Sequence, residues 1–318
     1  MENFEVLNFD VKEEFREKRL DQFLALVYPE YSRSYYQSLL KSGNVLVDGI
    51  PILKASYKIN VGQTVTVNIP PPEPMKVTPE SIPIKVYYED EDLAVVHKPA
   101  GMVVHPSVGH TSGTLVNALL HHFKNVSLYQ GIERAGIVHR LDKDTEGIIV
   151  VAKTEFAHKE LQKMFAERLV DKRYKAVVVG IVKKDYGLID IPIGRSSFDR
   201  QKIGTVSNNL RDALTEFWVE KRSQQLNITL VDIKLHTGRT HQIRVHFSTL
   251  GYPLFNDYVY GFKLSNVDRS LKEVAYRLKY QSLVAYRLSF KHPRTGETLD
   301  FHVEDMPPQI KKLEELIG

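Results

Sequence analysis

Two short segments of the chain hold most of the side chains that could do chemistry. The first, GIVHRLDKDTEGIIVVAKT at 136–154, places Asp142 and a run of other polar side chains directly before an apolar stretch typical of a strand. The second, LHTGRTHQIRVHF at 235–247, carries the basic side chains Arg239, His241, Arg244 and His246. Loops at strand ends can direct side chains into a cleft. A carboxylate beside a surplus of arginine and histidine suits a reaction on an anionic polymer.

Metal chemistry is the alternative to weigh first, because the chain has 12 histidines. His121 and His122 are adjacent, and the histidines at 236, 241 and 246 are five residues apart, so neither spacing places two imidazoles on one helical face. The chain has no cysteine, which excludes disulfides, thiol nucleophiles, cysteine-ligated zinc and iron–sulfur clusters. The sequence therefore predicts no metal site and no cofactor.

Composition and charge describe an ordinary globular protein of 318 residues, a length that suggests about two domains. The net charge of +4 is unevenly distributed. Residues 1–70 hold eight Lys/Arg and nine Asp/Glu, and the remainder holds 35 and 30. A nucleic-acid partner would be attracted mainly by the second part. The first ten residues are acidic, unlike a signal peptide, and no apolar run approaches a membrane span. We expect a cytoplasmic protein with no membrane partner, and a monomer by default.

The clearest boundary in the sequence is IPPPEP at 69–74, where four prolines in six positions favour an extended, semi-rigid linker. The predicted division is an N-terminal domain at 1–69, a Pro-rich linker at 70–80 and a larger domain at 81–318. A proline-rich surface loop within one domain remains the alternative.

Before the linker, the apolar pattern predicts two helices and a small sheet. The first helix is indicated by apolar spacing, and the second begins at Ser32 or Ser34 and ends at Gly43. Asp48-Gly49 is a strong signal for a hairpin turn, and alternating residues up to Ile69 predict a closing strand. The buried positions predicted for these elements are Leu20, Phe23, Leu24, Val27, Tyr36, Leu39, Leu40, Val65, Val67 and Ile69.

The stretch RLDQFLALVYPEYSRSYYQSLLKSGNVLVDGIPILKASYKINVGQTVTV resembles the S4 RNA-binding domain. The resemblance implies that the second helix and the loop after it face RNA. It points to Arg33, Tyr35, Gln37 and Lys41 as RNA-binding residues. The alternative is that these side chains form only the solvated face of an amphipathic helix, and the slightly acidic balance of the module argues against strong RNA affinity by itself.

After the linker, short strands and helices follow one another without regular alternation. The predicted strands lie at 84–90, 93–98, 148–153, 174–182, 213–221 and 226–235. One helix is predicted after Thr154, with an inner face of Ala157, Leu161, Met164 and Phe165, and another from Thr240 to Leu250, with Ile243, Phe247 and Leu250 inward. This pattern predicts an α+β fold on a large, mainly antiparallel mixed sheet.

Five ordered blocks of this second part resemble the RluA-type pseudouridine synthases. HRLDKDTEG, KRYKAVVVG and HTGRTHQIRVHFSTLGYP match the signature segments, and the blocks at 93–122 and 288–301 fit as well. With an S4-like module in front, the chain is most similar to the subgroup of ribosomal large-subunit pseudouridine synthase D. The resemblance implies a cofactor-free isomerisation of uridine, in which the glycosidic bond breaks, the base rotates and carbon five bonds to the sugar.

The resemblance also assigns roles to individual residues. Asp142 matches the catalytic aspartate, Arg244 the arginine that pairs with it, and Tyr174 the tyrosine that lies against the target base. Leu283 matches an apolar wall of the base pocket, and Arg140 the wedge that replaces a flipped-out base, with a structural salt bridge as the alternative for Arg140. Arg239 and His241 are predicted RNA contacts. Attack on the sugar, attack on the base and removal of a sugar proton all remain open as routes.

Three positions depart from the family pattern: Glu146, Asn256 and Val284 stand where the family usually has Ser, Gly and His. The predicted partner is structured RNA, ribosomal RNA first, free or within a large-subunit particle, and not DNA. The alternatives are the same activity on transfer RNA, a non-catalytic RNA-binding or ribosome-assembly protein, and a nuclease. Nucleases usually gather several acids around divalent metal, whereas both chemical segments are rich in bases.

Overall fold

The computed structural model describes residues 5–71, 76–107, 110–197, 199, 202–207 and 209–318. The chain divides into two compact units, Met1–Met75 and Lys76–Gly318. Residues 72–75 of the predicted linker lie outside the described residues. The last part of the predicted linker packs on the second unit, where Val77 is buried and the Glu80 N–H donates to the Asn117 carbonyl at 2.9 Å.

The first unit is a four-stranded antiparallel sheet with two helices on it. Its elements are β1 (Glu5–Asp10), a 3-10 turn (Glu13–Phe15), α1 (Leu20–Val27), α2 (Arg33–Lys41), β2 (Val45–Val47), β3 (Ile50–Pro51) and β4 (Thr64–Ile69), and the strand order is β1-β4-β2-β3. Ser32 caps α2 by accepting a hydrogen bond from the Tyr35 N–H at 3.3 Å. Asp48 and Gly49 both have positive φ, as the predicted hairpin turn requires. Both helices and the hairpin are confirmed.

The second unit contains the large sheet. Its helices are α3 (Leu115–His122), α4 (Glu155–Ala166), α5 (Gln242–Thr249), α6 (Arg269–Arg277) and α7 (Pro308–Ile317), with 3-10 turns at Ile132–Arg134, Tyr258–Tyr260 and Leu264–Asn266. Its strands are β5 (Lys85–Glu89), β6 (Leu93–Lys98), β7 (Glu146–Ala152), β8 (Asp171–Val179), β9 (Tyr186–Asp190), β10 (Gly194–Arg195), β11 (Ile203–Gly204), β12 (Leu214–Ser223), β13 (Ile228–Leu235), β14 (Leu283–Lys291) and β15 (Thr298–His302).

Nine of these strands form one sheet in the order β5-β6-β7-β14-β8-β13-β12-β9, with β15 paired to β14, and β10 and β11 form a separate small hairpin. Among the described strands, β7 and β14 are the one parallel pair. They approach closely at Gly147, where a Cβ atom would lie 2.2 Å from the Ala285 carbonyl oxygen. The α+β fold on a mainly antiparallel mixed sheet is confirmed.

The two faces of this sheet bury different helices. On β8, Val177 and Val179 face a core that includes residues of α4, α6 and α7. Tyr174, Ala176 and Val178 alternate with them and face a second core with Ile243 and Phe247 of α5. The second face is therefore the one on which the two chemical segments meet.

The helix predicted from Thr240 to Leu250 is shorter than expected. It begins at Gln242, because His241 adopts a left-handed conformation (φ 56°) and ends the preceding turn. Leu250 follows the last helical residue and is 42% exposed, so its predicted inward position was wrong. The helix after Thr154 begins at Glu155, with the Thr154 hydroxyl accepting a hydrogen bond from the Ala157 N–H, as predicted.

Within the described part of the chain, none of the helices has the length and apolar composition to cross a membrane.

Candidate active site

A cleft of about 410 Å³ opens on the α5 face of the sheet in the second unit. Its walls come from the loop before β7, the end of α4, the start of β8 and the turn between β13 and α5. All seven residues that the sequence predicts for this unit line it: Arg140, Asp142, Tyr174, Arg239, His241, Arg244 and Leu283. Among the described residues of the lining, Asp142 is the single acid.

The loop that carries Asp142 is fixed at several points. Leu141 is buried in the core of the α5 face. The Thr145 N–H donates to the Asp142 carbonyl at 3.1 Å and closes a turn. Gln281, just before β14, donates to the Thr145 hydroxyl at 2.8 Å. These contacts hold the aspartate in one place relative to the sheet.

Lys98, at the end of β6, also helps to hold the Asp142 loop in place. Its side chain is completely buried, and its ammonium donates to the carbonyls of Pro99, Met102 and Lys143 at 2.8–3.0 Å. Burial lowers the pKa of Lys98 to about 8, against the opposing charges of Asp144, Asp142 and Glu146. Among the described residues, no carboxylate contacts this ammonium, and its hydrogen bonds serve to join two loops.

Arg244 links Asp142, in the lining of the cleft, to the buried Asp257. Its Nε and Nη2 donate to both oxygens of the buried Asp257, at 2.7 and 2.9 Å, and its Nη1 donates to Asp142 Oδ2 at 3.3 Å. Burial acts to lower the pKa of Arg244, but the hydrogen bonds and charges of Asp257 and Asp142 outweigh it and raise the pKa. The bidentate pair orients the guanidinium, which in turn holds one oxygen of Asp142. Among the described residues, none donates a hydrogen bond to the other oxygen, Oδ1.

Tyr174 and Leu283 form an apolar wall beside Asp142. They lie on the neighbouring strands β8 and β14, and both are buried. Burial raises the pKa of the Tyr174 hydroxyl, and the nearby charge of Asp142 adds to the effect. The tyrosine therefore stays protonated and uncharged at neutral pH.

His241 lies deeper in the site than a peripheral RNA contact would. Its Nε2 is 4.0 Å from Asp142 Oδ1, and its Nδ1 is hydrogen-bonded to the Tyr260 hydroxyl at 2.7 Å. Burial lowers the pKa of His241, against the charge of Asp142. The Tyr260 ring also stacks under the Arg244 guanidinium, 4.8 Å from the ring centroid.

Arg140 and Arg239 are exposed at the mouth of the cleft. The Arg239 Nε donates to the Asp212 carbonyl at 3.1 Å, which leaves its terminal nitrogens available. Arg140 forms no hydrogen bond or ion pair with the part of the chain that the structure describes, so the structural salt bridge considered for it is not found there.

Two of the four predicted RNA-binding residues of the first unit, Arg33 and Gln37, contact a different aspartate. Asp21 is completely buried, and Arg19, Arg33 and Gln37 donate to it at 3.1, 2.8 and 2.7 Å. Burial acts to raise the pKa of Asp21, but these hydrogen bonds lower it to about 2. Tyr35 stacks on Tyr31 at 4.8 Å, and Lys41 is exposed at the end of α2.

The three departures from the family pattern have local explanations. Glu146 accepts hydrogen bonds from His97 and from Gln309 of α7, both at 2.8 Å, and so joins β7 to the last helix. Asn256 has φ 63°, a conformation that favours glycine but that asparagine tolerates. Val284 faces the core opposite the cleft.

Three residues in or next to the lining of the cleft, Lys172, Asp257 and Tyr260, have no predicted role. Asp257 is the main partner of Arg244. A buried arginine paired with Asp142 through one hydrogen bond would have signalled that a second anion was needed. Tyr260 follows Asp257 in the same segment and carries no sequence signal of its own. Lys172 lines the cleft two residues before Tyr174, and in the sequence it stands out only as part of the block KRYKAVVVG. Among the described residues, no group of three His, Asp or Glu side chains could hold a metal ion.

Comparison with protein families gives two matches. The RNA pseudouridylate synthase family matches residues 92–249, which include the Asp142 loop and α5. The S4 domain matches residues 18–65, within the first unit. Both resemblances proposed from the sequence are therefore confirmed.

Full-length relatives agree with these matches. A protein of Aquifex aeolicus named as an uncharacterized RNA pseudouridine synthase is 52% identical over 301 residues, which cover 95% of this chain and 94% of the relative. A Zymomonas mobilis protein named ribosomal large subunit pseudouridine synthase D is 41% identical over 298 residues, covering 93% and 92%.

Among solved structures, the human RNA pseudouridylate synthase domain containing 1 has the same fold, with a TM-score of 0.57 at 24% identity, over 75% of this chain and 96% of that one. Sequence relatedness over nearly the whole length, together with the two family matches, leads to one assignment. The chain belongs to the RNA pseudouridine synthase family, isomerases that act on RNA, and carries an S4 domain in its first unit.

Proposed function

We propose that this enzyme isomerises specific uridines of large-subunit ribosomal RNA to pseudouridine, with Asp142 as the reacting carboxylate. The observation that carries the proposal is the arrangement of Asp142, Arg244 and Tyr174 in one cleft. A charged oxygen acceptor is held by a guanidinium that is itself fixed by Asp257, and a neutral aromatic side chain lies beside it.

Each part of this arrangement suits one requirement of the reaction. The target uridine must leave its stack, and an aromatic face can hold a flipped base. Tyr174 and Leu283 supply such a surface. Arg140, exposed and without a described partner, is proposed to fill the vacated position in the RNA, since a planar guanidinium can stack on bases.

The open oxygen of Asp142 is the atom proposed to react. Arg244 occupies Oδ2, while Oδ1 accepts no hydrogen bond from the described residues. An unoccupied lone pair on Oδ1 could attack the anomeric carbon or carbon six of the base, or take a proton from the sugar. In each case the carboxylate loses its negative charge as Oδ1 forms its new bond, and the electron pair of the broken glycosidic bond leaves with the base. Arg244 holds Oδ2 throughout and so keeps Oδ1 directed at the substrate. His241, whose pKa is lowered by burial, is proposed to stay neutral beside this oxygen.

Ribosomal RNA is the proposed substrate because of the relatives. Proteins of Zymomonas mobilis, Pseudomonas aeruginosa and Neisseria meningitidis that are 41–42% identical to this chain carry the name ribosomal large subunit pseudouridine synthase D. The proposed partner is thus structured ribosomal RNA, and the S4 domain adds a second RNA-binding surface around Arg33, Tyr35, Gln37 and Lys41.

A tritium-release assay tests the proposal. Transcripts of large-subunit ribosomal RNA, transfer RNA and a uridine-free control are labelled at carbon five of the pyrimidine and incubated with the protein. We expect stoichiometric release from ribosomal RNA and none with Asp142→Asn. Release from transfer RNA alone would contradict the ribosomal substrate, and RNA binding without release from any transcript would favour a non-catalytic protein.

The same assay tests the prediction that no metal is needed. After dialysis against EDTA, with the RNA folded in monovalent salt beforehand, we expect turnover within twofold of the untreated protein. A loss that one particular divalent ion restores would contradict the cofactor-free mechanism.

A further inference from the structure

Lys172 lies in the cleft beside the proposed reaction centre and has no role in the chemistry described above. It precedes Tyr174 by two residues on β8, so both side chains leave the same face of the strand, about 7 Å apart. Its ammonium lies between two walls of the cleft. It is 5.8 Å from the centroid of the Phe165 ring and 3.5 Å from the position that a Cβ atom of Gly238 would occupy.

Lys172 has no hydrogen-bond acceptor or carboxylate partner among the described residues, and its neighbours on β8 differ in this respect. Asp171 contacts Lys234 at 3.4 Å and Arg287 at 3.2 Å on the other face of the sheet. Lys175 donates to Glu220 at 2.9 Å. Since Asp142 is the single acid in the described lining of the cleft, this end of the cleft is purely cationic.

The groups around Lys172 do not compensate its charge. His139 stacks on Phe165 at 4.5 Å and accepts a hydrogen bond from the Val150 N–H at 3.0 Å. Burial, together with the charge of Lys172, lowers the pKa of His139 to about 3, so the imidazole is neutral. Burial lowers the pKa of Lys172 itself to about 8. A partly buried ammonium without an acceptor is costly, and an anion entering the cleft would remove that cost.

We propose that Lys172 forms a subsite for one backbone phosphate of the RNA, the phosphodiester group next to the uridine that lies against Tyr174. The inference rests on the proposed function, because that function supplies a polymer with one phosphate at every nucleotide. A phosphate oxygen is an acceptor that the strand must bring into the cleft together with the base. Arg168, which lines the same part of the cleft near its rim, adds a second cation to the subsite.

The subsite is tested first by RNA binding, in protein that also carries Asp142→Asn so that no turnover occurs. Lys172→Met keeps the length of the side chain and removes its charge. Lys172→Arg keeps the charge, and Lys175→Met is the matched control on the opposite face of the same strand. With transcripts of large-subunit ribosomal RNA, we expect Lys172→Met to weaken binding about tenfold and to lower the slope of log affinity against log salt by about one.

We expect Lys172→Arg to retain most of the affinity and Lys175→Met to change neither quantity. The melting temperature should not fall in Lys172→Met, because the variant removes an uncompensated, partly buried charge, whereas loss of a purely structural lysine would lower it. Binding of Lys172→Met equal to that of its parent would overturn the subsite, as would an equal loss in Lys175→Met.

The position of the phosphate is tested with a stem-loop around a uridine that the wild-type enzyme modifies. Neutral methylphosphonates replace the phosphates that flank this uridine, one at a time. One replacement should weaken binding to the parent about tenfold and have no further effect in Lys172→Met. Equal losses in both proteins would show that Lys172 contacts no flanking phosphate. If the wild-type enzyme modifies no uridine, the proposed function fails, and the binding measurements still decide whether Lys172 binds RNA.

Discussion

Asp21 in the first unit and Asp142 in the second both accept hydrogen bonds from arginine, but the two carboxylates differ in what remains open. Asp21 is completely buried, and its oxygens receive hydrogen bonds from Arg19, Arg33 and Gln37. Asp142 is 17% exposed to the cleft, and Arg244 occupies one of its oxygens. We therefore propose that Asp21 organises basic side chains for RNA binding, whereas Asp142 keeps a lone pair that can react.

The difference shows why arginine pairing alone does not identify a reactive carboxylate. In the first unit the arginines stabilise Asp21, because burial of this carboxylate without them would be very unfavourable. In the second unit Asp257 takes the role that Asp21 has in the first: it is the saturated carboxylate that fixes Arg244. The proposed reactive group, Asp142, is held by the Arg244–Asp257 pair at one oxygen only, and its other oxygen stays open.

The substitution Asp142→Asn, at the proposed reactive carboxylate, should have the largest effect on turnover. Asp142→Asn preserves the shape of the side chain, but an amide can neither attack the sugar or base nor take a proton at neutral pH. We expect pseudouridine formation to fall at least about 10⁴-fold, while RNA affinity stays within about threefold, since affinity depends mainly on phosphate contacts. Pseudouridine yield, RNA affinity and melting temperature are measured together. Wild-type yield in Asp142→Asn would remove Asp142 from the mechanism.

Removing the arginine should have the next largest effect. Arg244→Ala leaves Asp142 in place but without the group that holds Oδ2, and we expect turnover at saturating RNA to fall about 10²–10³-fold. It also leaves Asp257 charged and buried, which should destabilise the protein by about 3–5 kcal/mol.

The double variant Arg244→Ala/Asp257→Asn separates these two effects. We expect it to recover much of the lost stability, measured by denaturant unfolding, without recovering turnover. Recovery of both would mean that Arg244 acts only on folding.

Deleting the first unit tests whether its proposed RNA binding is separate from the chemistry of the second unit. A chain beginning at Met75 keeps residues 76–80, which hydrogen-bond to the second unit, and we expect it to fold. Affinity for large RNA should fall about 10–100-fold, because two linked binding sites become one, while turnover on a saturating minimal stem-loop should be nearly unchanged. An unfolded product would contradict the division into two domains, and undiminished affinity would contradict RNA binding by the S4 domain.

The smallest effect is expected from Asp21→Asn, the counterpart of the change at Asp142. It should weaken RNA binding about tenfold by releasing Arg33 and Gln37, and leave turnover at saturating RNA unchanged. Because the folded-state pKa of Asp21 is depressed to about 2, its stabilising contribution is complete above about pH 4 and is lost as the pH falls through 2. Unfolding of the wild type and of Asp21→Asn across this range should converge at low pH. A loss of turnover in Asp21→Asn would contradict the separation of binding from chemistry.

Much of the architecture could be predicted from local pattern. The Thr154 cap, the hairpin at Asp48-Gly49 and the buried strand β8 follow from signals contained within a few residues. The ordered motifs identified the family and brought Asp142, Tyr174 and Arg244 to attention, and the structure places all three in one cleft.

The parts that could not be predicted depend on contacts distant in sequence. Strand β1 was missed because it pairs with β4, about 60 residues later, and has little apolar pattern of its own. Leu250 was predicted inward from helical spacing, but the helix ends before it. The sequence places the carboxylate of Asp171 next to Lys172. The structure places it on the other face of the sheet, so it is not a partner of Lys172.

The parallel pairing of β7 with β14 has a consequence for the order in which the chain becomes competent during synthesis. The first unit closes on itself within residues 5–69, whereas the Asp142 loop depends on Gln281, and Leu283 completes the wall of the cleft. At about 5–20 residues per second, the ribosome takes on the order of 10–40 s to pass from residue 75 to residue 291. During that interval we expect the nascent chain to present a folded S4 domain without an assembled catalytic centre. An emerging chain could thus associate with RNA well before it can modify any uridine.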